Sequence, residues 1–256
     1  MNRALLAGVV SGSVLLSVVG CGSDGNDGST ADSGTVTVFA AASLKQVFTQ
    51  LGKDFEAANP GSKVEFSFGG SSDLAAQISQ GAPADVFAAA DPVTMATAVD
   101  SGRITEPTEN FATNVLTIVT APGNPKHIAG LSDLSKSGVQ SVVCAPQVPC
   151  GRATKKITDA AVVSLTPVSE EASVTDVLTK VTSGQADAGV VYVTDATTAA
   201  AKVAAVPIPE ASAAVNTYPI AVLADSKNEK SAHEFESLVT GPKGREALAG
   251  AGFGAP

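Results

Sequence analysis

The sequence predicts an α/β protein, because short apolar runs of strand type alternate along the chain with segments that place apolar residues three or four positions apart. The chain has 256 residues, of which 44% are hydrophobic and 16% charged, and this balance is typical of a globular protein with a sizeable core. Strand–helix alternation favours βαβ units and a mainly parallel sheet. The length fits two α/β units of roughly 80 to 110 residues each.

The first half of the chain shows this alternation. Residues 35–41 (TVTVFAA) are rich in valine and predict a buried strand. A helix is predicted from Ser43, because Phe48 and Leu51 follow at helical spacing. The same two patterns then predict a strand at 63–68, a helix from about Ser72, a strand at 86–89 and a helix at 92–99.

The second half continues in the same way up to the C-terminus. Its predicted strands are the apolar runs at 115–119, 140–144, 188–192, 204–208 and 218–223. Its predicted helices are the segments 152–163, 174–182 and 230–249. Together with the first half, these elements account for two α/β units without a visible internal repeat.

Residues 1–20 have the layout of a secretory signal, with Arg3 as their only charge and an apolar run at 4–19. The run is shorter than the roughly 20 residues that a membrane span needs. It ends in VVGC at 18–21, which resembles the bacterial lipobox, and an ordinary signal peptide with a chance cysteine is the alternative. We expect residues 21–34 to form a lipidated Cys21 and a flexible Gly/Ser/Asp-rich tether. The lipid would anchor the exported protein to the outer face of the cell membrane, in the periplasm or at the cell surface.

Two cysteines remain for the exported part, Cys144 and Cys150. An even pair tends to form a disulfide in an oxidising compartment, and Pro146 and Pro149 would bend the segment between them into a compact loop. A metal site is the rival hypothesis, although neither histidine of the chain lies nearby in sequence. The pattern favours the disulfide.

Composition and motifs exclude several classes of function. A formal charge of −9 without a Lys/Arg cluster argues against nucleic-acid binding. The chain contains no Gly-x-Ser-x-Gly elbow, no Ser-x-x-Lys and no glycine-rich nucleotide-binding motif. Neither of its two histidines has a partner at metal-ligand spacing. We therefore expect a protein that is not an enzyme, with no catalytic residues, no cofactor and no cation site.

Three predicted helix starts have polar turns that suit an anion. Ser43 precedes Gln46 at capping-box spacing, a GGSS run at 69–72 opens the next helix, and Ser173 precedes Asp176 by three residues. Free N–H groups and the helix dipole attract anions at such turns. A serine N-cap is also a common start of a helix, so each turn alone fits a structural role. Their coincidence in a chain without other motifs points to an anion site.

Four segments of the sequence resemble one family. VFAAASL at 38–44, the segment 67–91 that begins SFGGSS, VPCG at 148–151 and AGVVY at 188–192 are similar to the periplasmic molybdate-binding proteins of ABC importers. The similarity continues in order to GPKGREALAGAGF at 241–253 and covers nearly all of the chain after the tether.

This resemblance implies a type II periplasmic-binding-protein fold, in which two α/β lobes joined by two crossing hinge strands close over a ligand. Lobe one would hold residues 35–115 together with 218–256, and lobe two residues 116–217. The crossings would fall near residues 115–119 and 217–223.

The resemblance also implies the ligand and its contacts. Members of the family bind molybdate or tungstate through uncharged donors, here three side-chain hydroxyls and two backbone N–H groups, those of Cys150 and Val174. The position of Cys150 is often alanine in the family. Ser72 is the alternative to Ser71 as ligand contact, and we expect Ser72 to cap its helix. The expected ligand-binding residues are Ser43, Ser71, Cys150, Val174 and Tyr192.

Two alternatives to a molybdate receptor stay open. Sulfate has the same charge and shape on a smaller scale, so the chain could serve sulfate or another oxyanion. A protein of a different class, a surface scaffold lipoprotein without a ligand, could keep the same two-lobed fold. Under the leading hypothesis the partners are the oxyanion, an ABC permease in the cytoplasmic membrane and the membrane that holds the lipid anchor. We expect the protein to be a monomer.

Overall fold

The computed structural model of the protein describes residues 34–256. The predicted signal peptide, the lipidated Cys21 and the tether up to residue 33 lie outside the described residues. The described part is an α/β structure, as predicted, and it has two five-stranded sheets. The strands are β1 (Thr35–Ala41), β2 (Lys63–Gly69), β3 (Val86–Ala88), β4 (Glu109–Asn114), β5 (Leu116–Thr120), β6 (Ser141–Cys144), β7 (Ser169–Glu171), β8 (Ala188–Tyr192), β9 (Ala204–Val206) and β10 (Asn216–Val222).

Helices follow most of these strands. The α-helices of the described part are α1 (Lys45–Ala58), α2 (Ser71–Ser79), α3 (Pro92–Asp100), α4 (Pro149–Ala161), α5 (Val174–Thr182), α6 (Val193–Thr198), α7 (Glu229–Thr240) and α8 (Pro242–Gly250). Short 3-10 helices lie at Ala42–Leu44, Leu131–Ser135 and Pro209–Ala214. From residue 34 onwards, none of the helices has both the length and the apolar character that a membrane span requires.

Both sheets mix parallel and antiparallel strands. The first has the order β2-β1-β3-β10-β4, and the second has the order β7-β6-β8-β5-β9. The strands β2-β1-β3 and β7-β6-β8 are parallel, whereas β10 and β5 run antiparallel to both of their neighbours. The predicted parallel arrangement therefore holds only for one part of each sheet. The exceptions have a topological reason, since β5 and β10 each follow directly after the chain has passed from one sheet to the other.

The chain passes between the sheets twice. Only Val115 separates β4 of the first sheet from β5 of the second, and residues 207–215 lead back from β9 to β10. Asn114 lies opposite Asn216 in the β4–β10 ladder, so the two crossings run side by side. The second crossing lies earlier than the expected 217–223, because the 3-10 helix before β10 already carries the connection. Each sheet with its helices is called a lobe below, and β1 belongs to the first lobe.

Each lobe has its own core. In the first lobe, Phe48 of α1 contacts the rings of Phe66, Phe111 and Phe235, with ring centroids 5.8 to 6.4 Å apart. The core of the second lobe consists mainly of Val, Ile, Leu and Ala side chains. Burial of one such large side chain stabilises a fold by about 1.5 to 3 kcal/mol. The two packed cores hold the strand ends, and thereby the helix starts, in defined positions.

Besides the 3-10 helices, the sequence patterns missed two short strands and one short α-helix. The segment of β4 (ENFATN) is mostly polar, β7 (SEE) contains no apolar residue, and α6 has only six residues. Elements of this kind lack the apolar periodicity that reveals longer strands and helices. Their positions depend on tertiary pairing, which a local pattern does not carry.

The predicted helix at 230–249 is wrong in one respect, because it is two helices. α7 ends at Thr240 and α8 begins at Pro242, with Gly241 between them in an extended conformation. Proline has no N–H for a helical hydrogen bond and its ring clashes with the preceding turn. Gly244 lets α8 pack against the end of α7, since a Cβ there would lie 2.0 Å from the Val239 carbonyl oxygen.

Candidate functional site

A small cavity lies between the two lobes, where strand ends of both sheets lead into helices. Its volume is about 20 Å³, which suits an ion of a few atoms, whereas pockets for organic ligands typically span about 300 to 1,000 Å³. None of its lining residues is charged, and most are Ala, Gly, Pro or Val. The lining includes all five residues that the sequence analysis assigned to the ligand, namely Ser43, Ser71, Cys150, Val174 and Tyr192.

Ser43 reaches the cavity through the 3-10 turn that follows β1. The prediction that Ser43 caps helix α1 is wrong, because the residue before α1 is Leu44 and Ser43 forms no capping hydrogen bond. The tight turn already bonds the Lys45 N–H to the Ala42 carbonyl, so the backbone does not need the serine side chain. Ser43 Oγ instead lies 3.0 Å from Tyr218 Oη.

The expected capping-box partner of Ser43 has a different contact. Gln46 Oε1 accepts a hydrogen bond of 2.7 Å from the Thr198 hydroxyl. Thr198 ends α6 in the second lobe. Gln46 therefore connects the two lobes and does not cap its own helix.

The GGSS turn separates the roles of its two serines. Gly70 is the N-cap of α2, so the prediction that Ser72 caps this helix is wrong; the helix begins one residue earlier. Ser71 is only 3% exposed, and its Oγ accepts a hydrogen bond of 3.0 Å from the Ala90 N–H. Ser72 Oγ donates to the Gln147 carbonyl of the second lobe, at 3.1 Å. Of the two serines, Ser71 lines the cavity.

In the second lobe, the loop after β6 leads to Cys150, which lines the cavity. The predicted disulfide between Cys144 and Cys150 is present, with a Cα–Cα distance of 5.7 Å. It ties the end of β6 to the first turn of α4. This helix begins at Pro149 and not at the predicted Arg152, because proline suits the first helical position, where no N–H is needed.

The remaining contacts of the second lobe come from α5 and β8. Ser173 caps α5 as predicted, because its Oγ accepts from the Asp176 N–H at 3.3 Å and donates to the Asp176 carboxylate at 2.7 Å. This places the Val174 N–H at the helix start. Tyr192 ends β8 and is 1% exposed.

Among the described helices, α2, α4 and α5 have both their N-cap and their first helical residue at the cavity. The first N–H groups of a helix have no partner within it, and the helix dipole places partial positive charge there. The hydroxyls of Ser43, Ser71 and Tyr192 add side-chain donors. An anion in the cavity would meet donors from both lobes and no carboxylate.

Two tyrosines lie side by side at this site, with the ring centroids of Tyr192 and Tyr218 6.0 Å apart. Burial raises the pKa of Tyr192 well above its ordinary value, and the negative charges of Asp91 and Asp195 add to this effect. Burial likewise raises the pKa of Tyr218. Both side chains therefore keep their phenolic protons at physiological pH.

Sequence reasoning missed several residues that support the site. Tyr218 was assigned only to a strand, and Asn216, which donates to Tyr192 Oη at 2.8 Å, was not considered. One signal could have pointed to Tyr218: the chain has only two tyrosines and no tryptophan, and both tyrosines lie here. The ion pair between Arg152 and Asp91, which connects the lobes beside the cavity, has no sequence signal.

The structure places His233 beside carboxylates that the sequence analysis did not consider. His233 lies with Glu106 and Glu229 in a group whose potential ligand atoms are all within 4.8 Å of one another. His233 Nδ1 is also 3.2 Å from a Glu236 carboxylate oxygen. The group became visible only in the fold, because Glu106 is distant in sequence. None of these residues lines the cavity.

Two lobes that enclose an uncharged cavity lined by donors form an arrangement suited to binding a small solute. Residues 36–254 match the family of bacterial extracellular solute-binding proteins. The chain belongs to this family.

Individual relatives agree with this assignment. The chain is 49% identical over 256 residues to the molybdate-binding protein ModA of Mycobacterium tuberculosis (strain ATCC 25618 / H37Rv), and the match covers 98% of each chain. The periplasmic molybdate-binding protein of Azotobacter vinelandii superposes with a TM-score of 0.74 at 23% identity, over 86% of this chain and 99% of the other. The sulfate-binding protein SubI of M. tuberculosis H37Rv gives a TM-score of 0.70 at 23% identity, over 86% of each chain. At such identities, the two structures establish the shared fold alone.

Proposed function

We propose that the protein captures molybdate or tungstate outside the cytoplasm and delivers it to an ABC permease in the cytoplasmic membrane. The observation that carries this proposal is the uncharged, donor-lined cavity of about 20 Å³ between the lobes. A fully ionised dianion needs only donors, and neutral donors leave no unpaired buried charge when the ligand is absent. The 49% identity to a molybdate-binding protein supports the choice of anion.

In this proposal the anion accepts hydrogen bonds from the hydroxyls of Ser43, Ser71 and Tyr192 and from the backbone N–H groups of Cys150 and Val174. Hydrogen bonds to a charged group contribute about 1.5 to 3 kcal/mol each. Five of them would together contribute about 7.5 to 15 kcal/mol, and most of this range exceeds the roughly 8 kcal/mol of a micromolar complex. The surplus would offset the loss of ligand freedom and the closure of the lobes.

The test is a thermal-unfolding panel on the purified protein with molybdate, tungstate, sulfate and phosphate. A specific ligand at 100 times its dissociation constant adds about 2.7 kcal/mol of stability, which is easily seen as a rise in Tm. We expect molybdate and tungstate to raise Tm. A rise in Tm with sulfate alone would support a receptor function and would identify sulfate, in place of molybdate, as the ligand. No rise with any anion, from folded and ligand-free protein, would favour the scaffold alternative.

We further propose that Cys21 carries the lipid that anchors the protein to the membrane. The support is the VVGC sequence at 18–21 after an apolar run, followed by a Gly/Ser/Asp-rich segment. Wild-type protein expressed in its bacterial host should incorporate a labelled fatty acid and sediment with membranes. The Cys21→Ala variant should lose both properties. Labelling that persists in this variant would place the lipid elsewhere.

A further inference from the structure

His233 lies in a carboxylate-rich patch of the first lobe, away from the cavity. One of its ring nitrogens, Nε2, lies 3.5 Å from a Glu106 carboxylate oxygen, and the other, Nδ1, lies 3.2 Å from a Glu236 oxygen. Glu229 completes the patch, since potential ligand atoms of Glu106, Glu229 and His233 all lie within 4.8 Å of one another. Three carboxyl groups therefore lie around one imidazole.

Two segments of the chain bring these residues together. Glu229 is the first residue of α7, and His233 and Glu236 follow in the next two turns. Residues at these spacings share one face of a helix. Phe235 of the same helix is fully buried in the core of the first lobe, so the face is held in place by packing. Glu106 comes from the loop between α3 and β4.

The negative charge of the patch has no counterpart among the basic side chains. No Lys or Arg of the described residues forms an ion pair with Glu106, Glu229 or Glu236, and His233 is the only partner that could carry a positive charge. Glu236 is also mostly buried, with 16% of its side chain exposed. Carboxylates that share a site repel one another and lose hydration on burial. A bound cation would offset both effects.

The contact with Glu236 lies outside the group of three and prepares the ring for a metal ion. An ionised carboxylate can only accept, so in a neutral imidazole Nδ1 carries the hydrogen and Nε2 has the free lone pair. Nε2 is the nitrogen that faces Glu106. Histidines that bind metal ions almost always donate their other ring N–H to a carboxylate, a backbone carbonyl or water, which fixes the tautomer and the ring orientation.

The spacing suits a small divalent ion. Zinc binds imidazole nitrogen and carboxylate oxygen at about 2.0 to 2.2 Å, which places the ligand atoms of a tetrahedral site about 3.3 Å apart. The 3.5 Å between His233 Nε2 and the Glu106 oxygen is close to this value. Glu106 and Glu229 are exposed, so their side chains have room to adjust. The imidazole nitrogen favours zinc or a similar transition metal over Mg²⁺ and Ca²⁺, which prefer oxygen ligands.

We propose that Glu106, Glu229 and His233 form a surface site for a divalent transition-metal ion such as Zn²⁺, and that Glu236 is a positioning residue that orients His233. The site has three protein ligands and leaves a fourth position to solvent. It departs from the sequence analysis, which expected no cation site. The inference goes beyond the proposed function and does not depend on it, because none of these residues lines the cavity.

The test is calorimetric titration of Zn²⁺ into the purified protein, in a buffer that does not bind metal ions. We expect one ion per chain and a rise in Tm, because the ion binds the folded state. His233→Ala and Glu106→Gln should each weaken binding at least about tenfold, since each removes one of three ligands. Both residues are on the surface, and alanine suits a helix, so these variants should fold.

The matched control is His127→Asn. His127 is the only other histidine of the chain, and its φ of 52° suits asparagine. This variant should bind Zn²⁺ as the wild type does. Equal Zn²⁺ affinities of the His127 and His233 variants, or a wild-type protein that binds no Zn²⁺, would overturn the proposal.

Titration with Mg²⁺ separates a metal site from a merely acidic surface. Carboxylates alone would attract both ions through their charge, whereas a site with an imidazole ligand should bind Zn²⁺ at least about tenfold more tightly than Mg²⁺. Equal affinities of the wild type for the two ions would refute the site.

The role of Glu236 has its own readout. Glu236→Ala should lower Zn²⁺ affinity about tenfold, as is typical when such an outer partner is lost. Glu236→Gln should lose less, because its amide oxygen can still accept from the His233 Nδ1–H. Equal losses in the two variants would show that Glu236 acts through its charge and does not orient the ring. Failure of Zn²⁺ binding would leave the Tm shifts with molybdate unchanged, so the two proposals can be refuted separately.

Discussion

Arg152 of the second lobe bonds to Asp91 of the first across the cleft, with Nη2 of the arginine 2.7 Å from Oδ2 of the aspartate. The other oxygen of Asp91 caps α3 by accepting from the Thr94 N–H at 2.8 Å. The pair is mostly buried, with 25% of the arginine side chain and 10% of the aspartate side chain exposed. Neither residue lines the cavity, so the ion pair connects the two lobes beside the cavity and not within it.

Loss of this ion pair should weaken ligand binding by making closure less favourable. Arg152→Gln removes hydrogen bonds to a charged group, which contribute about 1.5 to 3 kcal/mol. Partial exposure reduces this amount, and we expect about a tenfold loss of molybdate affinity by calorimetric titration. The matched control is Arg103→Gln, whose Nη2 bonds to Asp225 at the same 2.7 Å within the first lobe. Equal affinities of the two variants would exclude a role in closure.

The serine contacts can be tested in the same assay. Ser43→Ala and Ser71→Ala each remove one donor to the anion, and we expect affinity to fall between ten- and a hundredfold in each case, in line with about 1.5 to 3 kcal/mol per bond. Ser79→Ala is the control, because Ser79 lies on the same helix as Ser71 and its hydroxyl donates to the Ala75 carbonyl, away from the cavity. If neither cavity variant differs from the control, the anion binds elsewhere.

The close approach of the lobes at Gly70 gives a third prediction. A Cβ on Gly70 would lie 2.4 Å from the Ala172 carbonyl oxygen of the opposite lobe. The backbone angles of Gly70, φ −60° and ψ 126°, suit alanine as well. Gly70→Ala should therefore fold normally and yet prevent full closure.

We expect Gly70→Ala to lose at least tenfold in molybdate affinity while Tm without ligand stays within about 2 °C of wild type. Gly69→Ala is the control, since its Cβ would make an ordinary contact of 3.5 Å with Leu74. Small-angle scattering should show ligand-induced compaction for this control and not for Gly70→Ala. Compaction of both variants would mean that the lobes adjust around the added methyl group.

The local part of this architecture could be predicted from the sequence. β1 and β8 match their predicted ranges, because each is an apolar run bounded by a change in composition. Ser71 and Tyr192 were assigned to the site because the short motifs that contain them, GGSS and AGVVY, resemble those of the molybdate-binding family. Each of these motifs specifies a backbone turn. A turn depends on residues that are neighbours in sequence, so a short motif is enough to indicate it.

The contacts between distant residues could not be predicted in this way. Asn216 meets Tyr192 across 24 positions, and Arg152 meets Asp91 across 61. Such contacts depend on how two lobes with separate cores come together. No single segment encodes that geometry, and isolated Asn or Arg residues occur in many roles. The mistaken caps at Ser43 and Ser72 have the same origin, because tertiary partners took the hydroxyls that local capping rules had assigned to the helices.

The disulfide gives a fourth prediction. In the chain-entropy description, a bridge that closes a loop of six to seven residues stabilises the fold by about 2 kcal/mol. A Cys144→Ala/Cys150→Ala double variant, which leaves no free thiol in this loop, should therefore unfold at lower denaturant concentration. Molybdate affinity should fall less than fivefold, because the proposed contact at position 150 is a backbone N–H. A loss as large as that of Ser71→Ala would show that the bridge itself positions the donor.

Asp195 provides a prediction about pH. Its carboxylate is buried and accepts a hydrogen bond of 3.1 Å from the Tyr192 N–H. Burial raises the pKa of Asp195 to about 7, although this hydrogen bond acts in the opposite direction. A raised pKa means that the folded protein binds the proton more tightly than the unfolded chain does. The resulting stabilisation is fully present below the ordinary pKa of 3.8 and is lost as the pH rises through 7.

Between pH 3.8 and about pH 7, the contribution of Asp195 to the free energy of unfolding should decrease by up to about 1.4 kcal/mol per pH unit. Asp133 and Glu171 have lowered pKa values and act in the opposite direction, so the wild-type profile alone is not diagnostic. The difference between wild type and Asp195→Asn isolates the one carboxyl, and the amide oxygen of the variant can still accept from the Tyr192 N–H. In ligand-free protein, we expect the variant to gain stability relative to wild type from pH 4 to pH 7 and to keep that gain at pH 8. Parallel profiles of unfolding free energy against pH would show that Asp195 titrates equally in the folded and unfolded states.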